Sequence, residues 1–263
     1  MKRFLMCQPD YFRVEYSINP WMGGKKVDLN LAKLQWKTLV TTLESLGVEI
    51  VYIDPVPELP DMVFTANAGI VHENDVILSN FRYIERQPER EVNKKWFEEN
   101  GYICHVLPDE IMFEGRGDCF IINNKIISAH GFRSSIKTQS NITNIFNLEG
   151  THVLLRDPRF YHLDTCLVVL EDNIHYRLGM YYPGAFEDKN LGDKLGIDLI
   201  KIPEEDACRF VCNSIVVDNN VILPAGNDYT CELLTDMGYN CHPVNVSEFL
   251  KSGGGPRCLV LEL

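Results

Sequence analysis

Hydrophobic and polar positions along the chain follow a pattern that recurs five times. In each copy a helix-like stretch ends at a glycine, an extended apolar run follows, and a polar turn closes the unit. Glycine favours the left-handed position just past a helix, and runs rich in Val, Ile, Leu and Tyr are typical of strands. The five copies are Gly47-VEIVYIDP, Gly101-YICHVLPDE, Gly150-THVLLRDP, Gly196-IDLIKIPEE and Gly238-YNCHPVNVSE.

The stretches before these glycines predict helices. Residues 29–46 repeat apolar positions every three or four residues, and residues 89–99 and 228–237 do so over a shorter length. After each polar turn a second apolar strand is predicted. These second strands are residues 64–71, 119–122, 166–170, 213–217 and 258–261.

The repeated unit predicts an α/β fold. Five copies, each about 45 to 50 residues apart, can bury their apolar faces only by stacking around a common axis. We therefore expect a five-bladed αβ-propeller. No linker, low-complexity segment or charge run divides the chain, so residues 1–263 are expected to form a single domain.

One polar or thiol side chain stands at or just before each second strand. Equivalent positions of a ring converge on its axis, so these five residues are expected to meet at a central site. A single polar residue at a strand start is usually only a turn residue, but five in register favour a site. They are Asn67, Asp118, Asp164, Asn213 and Cys258.

Charge and cysteine usage narrow the function classes. With 25 Lys and Arg against 37 Asp and Glu, the net charge is −12, which disfavours nucleic-acid binding and suits a cationic small molecule. No apolar run is long enough for a membrane span or a signal sequence. The nine scattered cysteines, with no C-x-x-C pair, indicate reduced thiols in the cytoplasm and no metal site.

Cys258 is the candidate nucleophile. It follows three consecutive glycines, Gly253 to Gly255. Glycines at such a density mark a turn or the close approach of a ligand, and their amides can stabilise a thiolate. A buried structural cysteine needs none of these features. The other eight cysteines lack such surroundings.

His162 is the candidate acid and base, since histidine can protonate a leaving group and then activate water near neutral pH. Asp164, two residues on, is expected to project to the same side of an extended segment. Glu114 and Asp118 flank a glycine-rich turn, where carboxylates suit the planar guanidinium group. Arg86 and Arg133 are candidates for holding a substrate carboxylate, although spacing alone does not separate them from surface arginines.

Together these motifs resemble the guanidino-group modifying enzymes, which include arginine deiminases, dimethylarginine hydrolases, amidinotransferases and arginine dihydrolases. The resemblance covers essentially the whole chain, and that family's fold is the five-bladed pentein propeller. The motifs that carry it are Leu-Pro-Asp-Met-Val-Phe-Thr-Ala-Asn at 59–67, Glu-Gly-Arg-Gly-Asp at 114–118, Gly-Phe-Arg-Ser at 131–134, His-Leu-Asp-Thr at 162–165 and Gly-Gly-Gly-Pro-Arg-Cys at 253–258.

The resemblance implies a role for each residue. Cys258 attacks the guanidinium carbon, and His162, with Glu114 beside it, acts as acid and then base. Asp164 pairs with guanidinium nitrogens, and no metal or organic cofactor is implied. The remaining residues implied to bind the substrate are Arg86 and Arg133 for the α-carboxylate, Asp61 for the α-amino group, and Asn19, Phe64, Asn67 and Asp118 in the same pocket.

Asn67 narrows the choice within the family. Deiminases and dimethylarginine hydrolases carry an aspartate there, whereas the resemblance at this position is to the arginine dihydrolase domain. A neutral amide offers a donor and an acceptor without net charge, so it can hold cationic arginine and then neutral citrulline. The expected reaction is therefore hydrolysis of arginine to ornithine, carbon dioxide and two molecules of ammonia.

Several alternatives stay open at this point. A dimethylarginine hydrolase, an arginine deiminase or an amidinotransferase would use the same nucleophile. Some penteins, such as ribosome-binding initiation factors, are scaffolds without catalysis, but they lack the Cys, His and carboxylate set. No sequence feature opposes a homo-oligomer.

Overall fold

Five three-stranded sheets make up the fold in the computed structural model, which describes residues 1–24, 26–170 and 178–263. In each sheet the middle strand runs antiparallel to the inner strand and parallel to the outer one. From inner to outer, the sheets are β3 (Gly69–His72), β4 (Asp75–Leu78) and β5 (Ile103–His105); β6 (Cys119–Ile122), β7 (Lys125–His130) and β8 (Glu149–Leu154); β9 (Leu167–Leu170), β10 (Leu178–Tyr181) and β11 (Asp198–Lys201); β12 (Ile215–Val217), β13 (Asn220–Pro224) and β14 (Asn240–Val244); and β15 (Leu261–Glu262), β1 (Arg3–Cys7) and β2 (Glu49–Ile53).

A helix connects the middle strand of each sheet to its outer strand, as parallel neighbours require. α1 shows why these segments are helical: Asp28 caps its first turn by accepting from the amide of Leu31 at 3.1 Å, and Ala32, Trp36 and Leu39 line its buried face. The described helices are α1 (Leu29–Ser45), α2 (Glu89–Glu99), α3 (Thr138–Phe146), α4 (Leu191–Leu195), α5 (Glu204–Cys208), α6 (Asp228–Asp236) and α7 (Ser247–Leu250). None of the helices in these ranges is long and apolar enough to cross a membrane.

A closed cycle of hydrogen bonds joins the turns that precede the five inner strands. Each turn is bonded to the turn of the next sheet, and the fifth step returns to the first. The ring of blades that the repeats predict is therefore confirmed. The five steps are Thr65 Oγ1 to Leu259 O (3.0 Å), Asn67 Nδ2 to Glu114 O (3.0 Å), Leu163 N to Asp118 Oδ1 (3.2 Å), Asn213 Nδ2 to Asp164 O (3.1 Å) and Cys258 N to Asn213 Oδ1 (3.2 Å).

The first and last strands close this ring by sharing one sheet. β1 pairs antiparallel with β15, with Phe4 opposite Glu262 and Leu5 opposite Leu261, and it pairs in parallel with β2 along its whole length. Leu5 is fully buried and Leu261 nearly so. Each such buried leucine contributes roughly 1.5 to 3 kcal/mol to stability, so the closure is an apolar contact as well as a hydrogen-bonded one.

The predicted helices and outer strands are confirmed, but the repeating unit is divided differently. The predicted helix–strand–turn–strand unit contains the outer strand of one blade and the inner strand of the next. The middle strand of every blade was missed, because a short apolar run joined to its neighbour by a tight hairpin lacks a separate signal. The middle strands are β1, β4, β7, β10 and β13.

Two local predictions were wrong. The inner strands at 64–71 and 258–261 begin late, at Gly69 and Leu261, because one-turn 3-10 helices occupy the residues before them. Gly150 does not end a helix: Asn147 holds the left-handed position after α3, with φ of 52°, which asparagine tolerates. A Cβ on Gly150 would lie 2.7 Å from Thr143 Cγ2, so this glycine allows α3 to approach β8.

Candidate active site

The axial turns enclose a small cavity at one end of the ring. Cys258 lies at its base in the 3-10 turn Arg257–Leu259, and Asn67 lies in the turn Thr65–Ala68. A strand would point alternate side chains to opposite faces, whereas these tight turns direct the polar side chain towards the axis. The cavity is lined by Ile18, Asn19, Met22, Asp61, Phe64, Asn67, Arg86, Arg133, Tyr161, Ser252, Gly254 and Cys258.

The Cys258 sulfur is buried between an amide and a carboxylate. Asn213 Nδ2 donates to Sγ at 3.2 Å, and Asp164 Oδ2 lies 3.7 Å from Sγ. Burial and then the negative charge of Asp164 raise the pKa of the thiol well above its usual value, while the Gly255 amide and Asn213 act in the opposite direction. Burial and Asp164 therefore favour the neutral thiol over the thiolate.

His162 is held by a buried ion-pair network. Its Nε2 lies 2.9 Å from Glu114 Oε2, and the same oxygen accepts from Arg133 Nη1 at 2.7 Å. Arg133 is also clamped between the rings of Tyr83 and Tyr161, with centroid distances of 4.8 and 4.6 Å. The imidazole is thus fixed in orientation, as an acid–base group requires.

Glu114 stays ionised despite complete burial. Burial acts to raise its pKa, but Arg133 and His162 outweigh that effect and hold the pKa well below its usual range. Its remaining oxygen accepts from the amide of Arg82 at 3.2 Å. Glu114 is therefore a permanent negative charge beside His162, and it is absent from the cavity wall that the described residues form.

Asp164 faces Cys258 and not His162. The prediction of an extended His162–Asp164 pair was wrong, because residues Leu163–Thr165 form a 3-10 turn that carries the two side chains in different directions. Burial raises the pKa of Asp164 to about 7, and Arg116 and Arg257 oppose the rise. Its carboxyl group therefore titrates in the neutral range.

Asn67 connects the Arg86 guanidinium with the backbone of Glu114. Its Nδ2 donates to the Glu114 carbonyl at 3.0 Å, and its Oδ1 accepts from Arg86 Nη1 at 2.9 Å. Arg86 in turn forms a two-pronged ion pair with Glu89, at 2.8 and 2.9 Å. Gly117 makes room for this arrangement, since a Cβ there would lie 2.5 Å from Asn67 Nδ2 and 3.1 Å from His162 Nδ1.

Asp61 and Asn19 line the far end of the cavity. Asp61 accepts from the Tyr16 hydroxyl at 2.9 Å and from Ser252 Oγ at 3.3 Å. Asn19 Nδ2 donates to the Ser252 carbonyl at 3.0 Å, so both side chains meet at Ser252. The cavity thus contains the carboxyl group of Asp61, the guanidinium groups of Arg86 and Arg133, and the thiol of Cys258. This set of groups suits a guanidino compound that carries both positive and negative charges.

Asp118 is placed beneath the site and not on the cavity wall. It accepts from Ser134 Oγ at 2.7 Å and from the Leu163 amide at 3.2 Å. Burial raises its pKa to about 6, and the charge of His162 opposes the rise. These contacts fix the turn that follows His162, and contact of Asp118 with a substrate stays a prediction.

Comparison with known proteins agrees with this site. Residues 18–263 match the family described as N,N dimethylarginine dimethylhydrolase, eukaryotic. This match spans more than half of the chain. The chain belongs to this dimethylarginine dimethylhydrolase family.

Three relatives illustrate the range of activities within reach of this family. AgrE of Nostoc, a bifunctional arginine dihydrolase/ornithine cyclodeaminase, is 38% identical over 99% of this chain, which spans only 38% of that relative. The N(G),N(G)-dimethylarginine dimethylaminohydrolase of Mycobacterium tuberculosis is 34% identical over 100% of this chain and 86% of its own length. The substrate-bound N-terminal domain of ArgZ, a cyanobacterial arginine dihydrolase, superposes with a TM-score of 0.94 at 36% identity, over 100% of this chain and 98% of that domain.

Several residues of the site had no role assigned to them from the sequence. Asn213 was an axial residue without an assigned role, yet it contacts the thiol and the Cys258 amide. Tyr161 donates to the Gly253 carbonyl at 2.8 Å, and Glu89 neutralises Arg86. The fivefold register placed Asn213 on the axis but did not indicate its contacts. Tyr161 and Glu89 belong to no repeated position, so the sequence pattern did not indicate them.

Gly254 offers a test of the glycine loop that precedes Cys258. The Phe64 ring lies against Gly254, and a Cβ added to Gly254 would overlap the carbons of that ring. Phe64 is buried and packed edge-on against Phe12, so it has little room to move. We expect Gly254→Ala to cost about 1–3 kcal/mol of stability and to lower kcat by displacing Cys258.

The matched control is Gly23→Ala. A Cβ on Gly23 meets no atom within 4 Å, and its backbone is outside the left-handed region. Thermal unfolding and initial rates of both variants check this expectation. An unfolding temperature and a kcat for Gly254→Ala equal to those of the Gly23 control would contradict it.

Proposed function

We propose that this protein hydrolyses L-arginine, with two waters, to ornithine, carbon dioxide and two molecules of ammonia. The observation that carries the proposal is the neutral amide of Asn67 in the wall of a cavity that ends at Cys258. The similarity to AgrE and to the ArgZ domain, both arginine dihydrolases by name, supports it. Membership in a family of guanidino hydrolases supports attack on a guanidino carbon–nitrogen bond.

The bound substrate activates the thiol in this proposal. A bound guanidinium next to Asp164 supplies a positive charge, and an opposite charge within about 4–6 Å stabilises a thiolate, so the thiol releases its proton to solvent as the substrate binds. Cys258 then attacks the guanidinium carbon, and His162 transfers a proton to the nitrogen that leaves as ammonia. Glu114 stabilises the protonated imidazole, which it contacts at 2.9 Å.

Water completes the first half of the reaction. His162, now neutral, takes a proton from water, which attacks the thiouronium carbon, and the carbon–sulfur bond breaks to give citrulline. A second attack by Cys258 on the ureido carbon releases the second ammonia. Hydrolysis of the resulting S-carbamoyl adduct gives a carbamate that loses carbon dioxide and leaves ornithine.

Asn67 would decide whether the second round occurs. A carboxylate at this position would attract the cationic guanidinium and gain less from the neutral ureido group of citrulline. The Asn67 amide already spans Arg86 and the Glu114 carbonyl, so it holds these groups without adding charge. Citrulline can therefore remain in the site long enough to be attacked again.

Dimethylarginine hydrolysis is the second candidate. The family match and the relative from M. tuberculosis favour it, since both carry that activity in their names. This reaction would release dimethylamine and stop at citrulline. Initial rates with arginine and with dimethylarginine, compared as kcat/KM, separate the two candidates.

The deciding experiment is the ratio of ammonia released to arginine consumed, with ornithine and citrulline quantified in the same samples. We expect two ammonia per arginine and ornithine as the final product. One ammonia per arginine with accumulating citrulline would show a deiminase. Hydrolysis of dimethylarginine without hydrolysis of arginine would support the second candidate and contradict the dihydrolase proposal.

Replacement of Asn67 by aspartate is expected to change the product. The new carboxylate gains an ion pair with Arg86 but faces the Glu114 carbonyl without a hydrogen to donate, and it disfavours neutral citrulline relative to arginine. We expect citrulline to be the major product, with the rate of its hydrolysis lowered roughly ten- to hundredfold. An unchanged ornithine yield from Asn67→Asp would contradict the role given to this amide.

Three expectations from the sequence complete the proposal. We infer that the protein acts in the cytoplasm, that residues 1–263 fold as one unit, and that the chain can assemble with copies of itself. Gel filtration with light scattering measures the assembly, and limited proteolysis measures the number of folding units.

A further inference from the structure

A second pocket lies on the other side of the axial turns from the substrate cavity. Its walls include side chains of four inner strands, β6, β9, β12 and β15, whereas the substrate cavity is walled by residues that lie outside the strands. We call it the rear pocket. Its charged lining residues are Lys2, Arg116, Asp164, Arg257 and Glu262.

Asp164 connects the rear pocket with the nucleophile. Its Oδ2 is 3.7 Å from the Cys258 sulfur, while its Oδ1 is buried and receives no hydrogen bond from any residue in the described part of the chain. A carboxylate buried in this way would readily become protonated and neutral. A neutral Asp164 could no longer pair with a guanidinium.

Two arginines approach Asp164 from the rear. The Arg116 guanidinium is stacked on the ring of Phe120, with its central carbon 4.0 Å from the centroid. Arg257 precedes the nucleophile in the same turn and is buried, and its nearest carboxylate contact among the described residues, Glu262, is at a loose 3.7 Å. Both guanidinium groups thus line the same pocket as the Asp164 oxygen that receives no hydrogen bond from the described residues.

We propose that Arg116 and Arg257 are positioning residues that keep the Asp164 carboxylate ionised from the rear of the ring. The inference rests on the proposed function only in that Asp164 pairs with a guanidinium substrate. In the ionised state Asp164 attracts the substrate and carries no proton that would clash with a guanidinium N–H. The substrate then supplies the charge that turns the neighbouring thiol into a thiolate.

The other ionisable groups around Asp164 do not replace these two cations. Burial raises the pKa of Asp164 to about 7 even with both arginines present, and they are the largest opposing influences. Lys2 is directed to Glu262 at 3.7 Å and to the Val216 carbonyl at 3.3 Å. The ionisable groups that face Asp164 from the surrounding elements are Cys258, Tyr161, Cys166, Arg116, Arg257, Lys2 and Glu262.

The first test measures Asp164 directly and requires no turnover. The infrared band of its protonated carboxyl group is followed against pH in protein labelled with carbon-13 at the aspartate side chain, and Asp164→Asn assigns the band. We expect Arg116→Gln and Arg257→Gln each to move the midpoint up by about one pH unit or more. The surface variant Arg156→Gln, which removes the same charge at an exposed site, is expected to leave it in place.

The second test is the pH profile of kcat/KM. Loss of either cation raises the pKa of Asp164, so the acid limb of the kcat/KM profile moves to higher pH. We expect kcat/KM at pH 7 to fall roughly five- to tenfold and to recover at alkaline pH. Arg116→Lys keeps the charge and is expected to retain the wild-type limb. A uniform loss at all pH values, or an infrared midpoint that does not move, would overturn the inference.

The outcomes remain distinct from those of the proposed function. A wild-type protein that does not hydrolyse arginine contradicts the proposed function, and the infrared midpoint still decides the role of the arginines. If the glutamine variants do not fold, Arg116→Met and Arg257→Met, which remove the charge and keep an unbranched side chain, replace them: a midpoint displaced upward supports the electrostatic role, and an unmoved midpoint contradicts it.

Discussion

Replacement of Cys258 by alanine is expected to abolish turnover of arginine, with kcat lowered by at least about 10⁴-fold. No other thiol shares the cavity: Cys258 is the sole cysteine on the wall that the described residues form. Without Sγ no covalent adduct can form, and water alone is a poor nucleophile towards a resonance-stabilised guanidinium. Initial rates of ammonia release measure the loss, and mass spectrometry of acid-quenched protein measures the adduct.

The fold of this variant is expected to survive. The thiol accepts a hydrogen bond from Asn213 at 3.2 Å and donates a longer one to Asp164 at 3.7 Å, and the loss of these two contacts costs about 1–2 kcal/mol. The matched control is Cys104→Ala, at a half-buried cysteine of β5 whose thiol contacts the Lys94 carbonyl, and this variant is expected to keep wild-type activity. A Cys258→Ala protein that retained more than a few per cent of the rate would remove this residue from the role of nucleophile.

Replacement of His162 by glutamine is expected to lower kcat about 10²- to 10⁴-fold, the usual contribution of general acid–base catalysis. Glutamine can still donate to Glu114 across the 2.9 Å contact that Nε2 now makes, so the ion pair of Glu114 with Arg133 should persist. It can neither protonate departing ammonia nor activate water. Arginine binding, measured by calorimetry, is expected to change much less than kcat.

A control histidine separates this effect from general destabilisation. His242 bonds to Asn220 at 2.9 Å between β13 and β14, away from the cavity wall. His242→Gln is expected to retain the wild-type rate. Equal losses in the two variants, with equal falls in unfolding temperature, would show that His162 acts through stability alone.

The repeats made the ring and its axis predictable from the sequence. Glycines follow four of the five helices, and each copy carries one polar or thiol residue at the same place. This register predicts that Asn67, Asp164 and Cys258 lie near one another. The same register placed Asn213 on the axis, where it contacts the sulfur. The repeats predict the ring because every blade packs in the same way and therefore carries the same pattern of apolar residues and turns.

The electrostatics of the site could not be predicted in this way. The sequence gives no means to see that Arg133 and His162 share one oxygen of Glu114, or that Glu89 already neutralises Arg86. These contacts join residues from different blades, and their strength depends on burial, which the motif spacing does not encode. The 3-10 turns that separate His162 from Asp164 were also hidden, because a few residues carry no periodic signal.

Closure of the ring by β1 and β15 has a consequence for the order of folding. The partner strands are separated by more than 250 residues, whereas the middle and inner strands of each other blade are close neighbours in the chain. Contacts between residues so far apart in the sequence tend to form late in folding, because the entropy lost on closing the long loop opposes them until the rest of the fold has formed. The turn that carries Cys258 lies directly before β15. We therefore expect the turn that carries Cys258 to become fixed late in folding, after the blades that close within short stretches of the chain have formed.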